Sequence, residues 1–156
     1  MATGFDSVDR AILAALRNDA RVSNKALAAA AGIAPSTCLA RVARLERRGV
    51  LTGYHAELDP HAIGIGVQAM ISVRLAKHAR AQVDAFVQHL LSLREVLMVI
   101  HVAGVNDYLV HVAVRDTDHL RRLVLDQFTA RPEVAHLETN LIFEQVRNPK
   151  LPLFGS

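Results

Sequence analysis

Apolar residues open the chain at helical intervals. Val8, Ile12, Leu13 and Leu16 predict a helix over residues 7–18. Asp6 stands where an N-cap belongs. Asp9, three residues later, takes the capping-box position, where a carboxylate favours the unpaired N–H groups of the first turn. Asn18-Asp19 breaks the pattern. Ser23 caps a second helix from Asn24 to about Ala31, with Ala26, Leu27 and Ala30 inward, and Gly32 ends it as a residue that accepts positive φ. Pro35 opens a third helix in its first turn, where the missing N–H costs nothing. That helix spans residues 35–48, and Gly49 stops it. The second and third helices are joined through Gly32-Ile33-Ala34, a helix-turn-helix arrangement. Residues 50–56 follow as a short extended piece, read as a small wing. Asp59-Pro60, Gly64 and Gly66 mark a linker.

The period then changes. Val67, Ala69, Ile71, Val73 and Leu75 alternate with Gln68, Ser72 and Arg74, a strand with one buried face. Val83, Phe86, Val87, Leu90 and Leu91 return to helical spacing. Residues 96–102 form a near-continuous apolar run, and Gly104-Val105-Asn106-Asp107 is a turn cluster. Residues 108–114 are a second apolar run, so the two pair as a hairpin. Asp116 or Thr117 caps a helix carrying Leu120, Leu123, Val124 and Phe128, and a last strand runs from Val134 to about Phe143. The order β-α-β-β-α-β is ferredoxin-like: an antiparallel four-stranded sheet with two helices on one face. The expected fold class is α+β, a helix-turn-helix (winged-helix-like) domain followed by a ferredoxin-like domain. The boundaries are 1–55 for the first domain, 56–66 for the linker, 67–147 for the second domain and 148–156 for a C-terminal tail. One sheet face lacks a helix, and with Met70 and Met98 nearby it suits self-association.

Composition narrows the classes. Of 156 residues, 51% are apolar and 21% charged, which excludes a mainly disordered chain. No apolar run approaches the roughly 20 residues of a membrane span. The start MATGFDSVDR lacks the apolar core of a signal peptide, so the cytoplasm is the expected location and no membrane partner is expected. A single cysteine excludes an intramolecular disulfide framework. Aromatics at 4% make stacking platforms for single strands unsuitable. Residues 1–55 hold eight basic and four acidic side chains, net +4, whereas residues 56–156 hold ten and eleven, net −1. The basic excess therefore sits in the helical third and suits a polyanion.

Cys38, Val42 and Leu45 make the buried stripe of the third helix. Thr37, Ala40, Arg41, Arg44, Arg47 and Arg48 lie largely on the other side, a small and basic face suited to the major groove. Ser36 and Thr37 add hydroxyls at the helix start, where backbone N–H groups favour phosphate. Arg41 and Arg44 are the expected groove residues, with Arg47 and Arg48 at the backbone. Cys38 reads as inert packing. The eight histidines show no metal spacing, although His101 and His111 on neighbouring strands are candidates to face each other. Helix capping accounts for Asp116-Thr117-Asp118-His119. No nucleophile, base and oxyanion set appears, and Gly64 and Gly66 open no phosphate loop, so neither enzyme nor cofactor is expected. The 104–107 turn combines N–H donors with a carboxylate, as an amino-acid ligand requires, although a hairpin turn needs Gly, Asn and Asp for its dihedrals anyway.

Four segments taken in order carry a family resemblance: Asp6-Ser7-Val8-Asp9-Arg10-Ala11-Ile12-Leu13; Asn18-Asp19-Ala20-Arg21-Val22-Ser23; Gly32 through Glu46; and Gly49-Val50-Leu51-Thr52-Gly53-Tyr54. Together with Gly104-Val105-Asn106-Asp107-Tyr108 and Thr139 before Leu141-Ile142, the chain resembles the Lrp/AsnC (leucine-responsive, feast/famine) transcription regulators over about residues 5–147. The resemblance implies double-stranded DNA as partner, self-assembly to dimers through the second domain's sheet and often to octamers, and a small-molecule effector, commonly an amino acid. Residue by residue, it implies a groove helix over 35–48 and an effector turn of Gly104, Val105, Asn106 and Asp107, with Tyr108 and Thr139 near it. Ala34 stands where the family usually has a capping Ser, for which Ser36 or a neighbour is expected to compensate. Ala40 replaces a common basic residue, and Ala103 a common Thr or Ser. The expected function is a sequence-specific, effector-responsive DNA-binding regulator. The alternatives are an effector-independent architectural DNA-binding protein and, last, an enzyme in the second domain.

Overall fold

The computed structural model describes residues 4–76, 80–146 and 148. Two compact units divide the chain. One holds residues up to Glu57 together with Val146 and Asn148, and the other holds Leu58–Gln145.

The first unit consists of α1 (Ser7–Asn18), α2 (Asn24–Ala31) and α3 (Pro35–Arg47). Local chemistry sets their ends. Asp6 accepts from the Asp9 N–H, and Ser23 accepts from the Ala26 N–H. Gly32 closes α2 at φ +67°, a left-handed value. Ala34 has cap geometry but no side-chain cap bond, so the expected compensation by Ser36 does not occur. Instead, the Asn24 side-chain amide donates to the Pro35 carbonyl and ties the starts of α2 and α3. Ile12, Leu16, Leu27, Ala28, Cys38 and Leu45 form the core. Residues 50–58 contain no strand, so the expected wing is absent. A strand needs a partner, and none lies beside it; the Tyr54 hydroxyl donates to Glu46 instead. Arg17 donates to the Asn148 carbonyl, which places that residue of the expected tail with the helical unit.

The second unit runs β1 (Val67–Leu75), α4 (Arg80–Ser92), β2 (Val96–His101), β3 (Tyr108–Val114), α5 (Thr117–Val124) and β4 (Val134–Leu141). The sheet order is β2-β3-β1-β4, and every neighbouring pair is antiparallel. A short 3-10 turn, His61–Ile63, precedes β1. A π-helical turn, Leu125–Thr129, extends α5 and keeps Phe128 in the core. Ala69, Ile71, Val73, Val110 and Val112 pack beneath Phe86 and Leu90 of α4 and Leu120 and Leu123 of α5. Leu91, expected inward, is 57% exposed, because Leu90 takes the buried position. The last strand stops at Leu141, and Phe143 beyond it is exposed.

The opposite sheet face carries no helix. Register aligns Met98, His111, Met70 and Asn140 in one row and Ile100, Leu109, Ser72 and Glu138 in the next. Leu97 and Met98, at a bulge in β2, are exposed. His111 is buried on this face and bonds Gln68 at 2.9 Å, whereas His101 stacks on Tyr108 at 4.8 Å. The two histidines therefore do not face each other. Their β3 positions, 108 and 111, are an odd number of residues apart and lie on opposite faces.

Candidate nucleic-acid interface and effector turn

The side chains of α3 fall into four rows, one of them Pro35, Leu39 and Glu46. Cys38, Val42 and Leu45 face the core, and burial pushes the Cys38 thiol pKa up, so it is a packing group. Directly opposite lie Ser36, Ala40, Ala43 and Arg47, at i, i+4, i+7 and i+11. Between them, turned toward α1, runs the row Thr37, Arg41 and Arg44, continued by the C-cap residue Arg48.

This last row meets acids. Arg41 Nη1 donates to Asp6 at 2.6 Å and to Asp9 at 2.9 Å. Arg44 Nη2 reaches both oxygens of Asp9, at 2.8 and 2.7 Å. Arg48 lies over the Phe5 ring, 5.9 Å from its centre, a cation–π distance. The Asp9 side chain is only 3% exposed. Its carboxylate does not reach back to the helix start as the capping-box expectation had it; it neutralises two guanidinium groups 32 and 35 positions away. Asp6 keeps its cap and also pairs with Arg41. The Asp9 N–H, then Arg41, hold its carboxyl below the usual aspartate range. The same pairing raises the Arg41 pKa.

Arg41 and Arg44, the expected groove residues, are thus engaged within the unit. Arg44 nonetheless stays exposed, its side chain at 44%, as are Ser36, Thr37, Ala40, Arg47, Arg48 and also Leu39, which the sequence reading did not single out. Four charges in the Asp6, Asp9, Arg41 and Arg44 cluster cancel. The net +4 of residues 1–55 therefore rests on Arg10, Arg17, Arg21, Lys25, Arg47 and Arg48 against Asp19 and Glu46. The partnership had one signal in the sequence: two acids and two arginines, each pair spaced by three.

In the second unit, Gly104 has φ +145°, a backbone that favours glycine. Asp107 braces the turn. Its N–H donates to the Val73 carbonyl, its carbonyl accepts from the Val102 N–H, and its Oδ2 accepts from the Leu75 N–H at 2.7 Å. One oxygen of the carboxylate expected to hold a ligand ammonium is therefore committed to β1. Among the described residues, no hydrogen bond engages the N–H groups of Gly104, Val105 or Asn106. Val105 is 79% exposed. Tyr108 is buried beneath His101; burial first, then Asp84 and Asp107, raises its pKa. Thr139 is exposed on β4. It pairs with Ile71 while Tyr108 pairs with Val73, so β1 lies between Thr139 and the turn.

Residues 5–46 match the family model for the AsnC-type helix-turn-helix domain, and residues 68–151 match that for the Lrp/AsnC ligand binding domain. The chain belongs to the Lrp/AsnC family. It is 47% identical to the HTH-type transcriptional regulator AldR of Mycolicibacterium smegmatis over 146 residues, 94% of this chain and 85% of that one. It is 33% identical to the leucine-responsive regulatory protein of Escherichia coli K12 over 143 residues, 92% of this chain and 87% of the relative. Among solved structures, a transcriptional regulator of Neisseria meningitidis in complex with L-Met aligns with TM-score 0.89 and 28% identity, over 96% of this chain and 97% of that one. The protein is a DNA-binding transcriptional regulator of Lrp/AsnC type with a ligand-binding domain. No single helix among the described residues is long and apolar enough to cross a membrane.

Proposed function

We propose that this regulator binds specific DNA sequences as a homo-oligomer and responds to an amino acid held at the 104–107 turn. The observation that carries the reading is the unengaged N–H row of Gly104, Val105 and Asn106 beside a carboxylate with one oxygen committed. Free N–H donors suit an amino-acid carboxylate, and Asp107 Oδ1 suits its ammonium. The complex of the Neisseria meningitidis regulator with L-Met supports the ligand class. Tyr108 lies at the base of the turn. Thr139 belongs to the site if a second copy brings it there.

DNA meets the Ser36, Ala40 and Arg47 row, with Thr37 and Arg48 at its margin. A second copy of this chain covers the helix-free sheet face. A twofold would place two copies of α3 on half-sites spaced by about one helical turn or a multiple, roughly 34–36 Å per turn. The test is light scattering and thermal melting against the twenty amino acids, with wild type and Asp107→Asn. Asparagine keeps an acceptor for the Leu75 N–H and removes the charge. A mass or melting shift with particular amino acids, weakened at least tenfold in the variant, is the expected result. Silence with all twenty sinks the effector assignment.

A second reading is an effector-independent architectural protein. One observation favours it: with Arg41 and Arg44 engaged by acids, few long side chains remain to read bases. An affinity ratio near one between selected and random duplexes would establish it.

A further inference from the structure

The arginines that α3 turns toward α1 have an unusual commitment. Asp9 is 2% exposed and accepts three hydrogen bonds, one from Arg41 and two from Arg44, all at 2.7–2.9 Å. A buried carboxylate stripped of a partner is strongly destabilised. Arg44 therefore cannot exchange Asp9 for a DNA phosphate without leaving that charge on the one hydrogen bond from Arg41. The pair of acids and the pair of arginines are each one turn apart, so the contact forms a two-by-two lattice. Such a lattice resists rotation of α3 about its own axis, which a smooth seam of Cys38, Val42 and Leu45 does not. The start of α3 at Ala34 is uncapped and is tied to α2 by the Asn24 amide on the Pro35 carbonyl, which holds its end and not its rotation.

We infer that Asp9 is a specificity-determining positioning residue: through Arg41 and Arg44 it sets the rotation of α3 and competes with phosphate for the Arg44 guanidinium. This deepens the assignment of the Ser36, Ala40 and Arg47 row to DNA and rests on it. Two opposite consequences follow from removing the charge. A looser α3 presents its reading row less accurately, so selected sequences bind less tightly. Arg44 is released while Arg41 keeps Asp6, so an added phosphate contact makes random sequences bind more tightly and with a steeper salt dependence.

Binding is measured for the full chain on two probes: the duplex that wild type recovers from a randomised library, and poly(dI-dC). In Asp9→Asn, affinity for the selected duplex is expected to fall about tenfold, and affinity for poly(dI-dC) to rise. The salt slope on poly(dI-dC) should steepen by about 0.9 for each arginine that joins a phosphate. A purely structural lesion would lower both affinities together, and that outcome, or no change in either, overturns the inference. Should Asp9→Asn not fold, Arg44→Lys keeps the charge and loses the two-oxygen grip. It should lower selected binding and leave poly(dI-dC) binding unchanged; a parallel loss on both probes counts against the inference. Arg47→Ala separates the two claims. If it leaves both probes unaffected, the assignment of the DNA-facing row fails first. If it weakens binding while Asp9→Asn preserves the ratio, the inference alone fails.

Discussion

Asp6 shows how much one side chain settles by itself. As an N-cap it is legible from its place before an apolar helical run, because capping involves atoms only three residues apart. Its second partner, Arg41, lies 35 positions away and is invisible to that reasoning. The pairing has a pH signature. The folded carboxyl binds its proton less tightly than the unfolded one, so this stabilisation is present above the ordinary value near 3.8 and is lost as pH falls below it. The protection of the α1 amides, measured against their intrinsic exchange rate at each pH, should fall in acid below about pH 4. Asp6→Asn, which retains a capping oxygen, should flatten that acid dependence; an unchanged pH profile would remove Asp6 from the pairing. Asp116 behaves alike at α5, where the His119 N–H, foremost, lowers its pKa, but it belongs to the other unit. Asp9 is the harder case. Its sequence position suggested a cap, and only the arrival of α3 reassigns its carboxylate.

Helices and strands were largely readable, because period, caps and breakers act within a turn or two. α1, α3 and β1 follow their apolar periods closely; in α2 Leu27 is inward as expected, but Ala26 and Ala30, also expected inward, are exposed and Ala28 is buried in their place. The missing wing and the π-helical turn after α5 were not readable. A strand exists only with a neighbour, and the π turn arises from keeping Phe128 in a core assembled by distant residues. Two substitutions test this scale. Ala34 has extended geometry, φ −68° and ψ 145°, so Ala34→Ser should cap α3 and stabilise the first unit by about 1 kcal/mol in urea unfolding. No gain would mean that the Asn24 to Pro35 bond already restrains that turn. Gly66 donates to the Val114 carbonyl, and a Cβ there would lie 2.2 Å from the Arg115 carbonyl oxygen. Gly66→Ala should cost the second unit about 1–3 kcal/mol, the usual range for overpacking. A melting temperature equal to wild type would contradict that close approach.

At the scale of the molecule, the open sheet face is the largest consequence of topology. Two helices cover one side, and the other presents Leu97, Met98 and Ile100 to solvent. If a second copy covers this face, Met98→Glu should lower the mass seen by light scattering to that of the single chain while the circular dichroism of the sheet persists. An unchanged mass would place the contact elsewhere. The amino-acid order alone specified the two-part organisation, the helix-turn-helix, the β-α-β-β-α-β succession and the family, because each rests on local periods and contiguous motifs. It also located the basic excess in the first third. Which arginines stay available for DNA, and which oxygen of Asp107 stays available for a ligand, depended on segments far apart in the chain meeting in space. Local chemistry fixes that a helix forms and roughly which face is apolar. Its final rotation answers to buried charge seeking neutralisation across the fold, and no short window of sequence contains both halves of that pair.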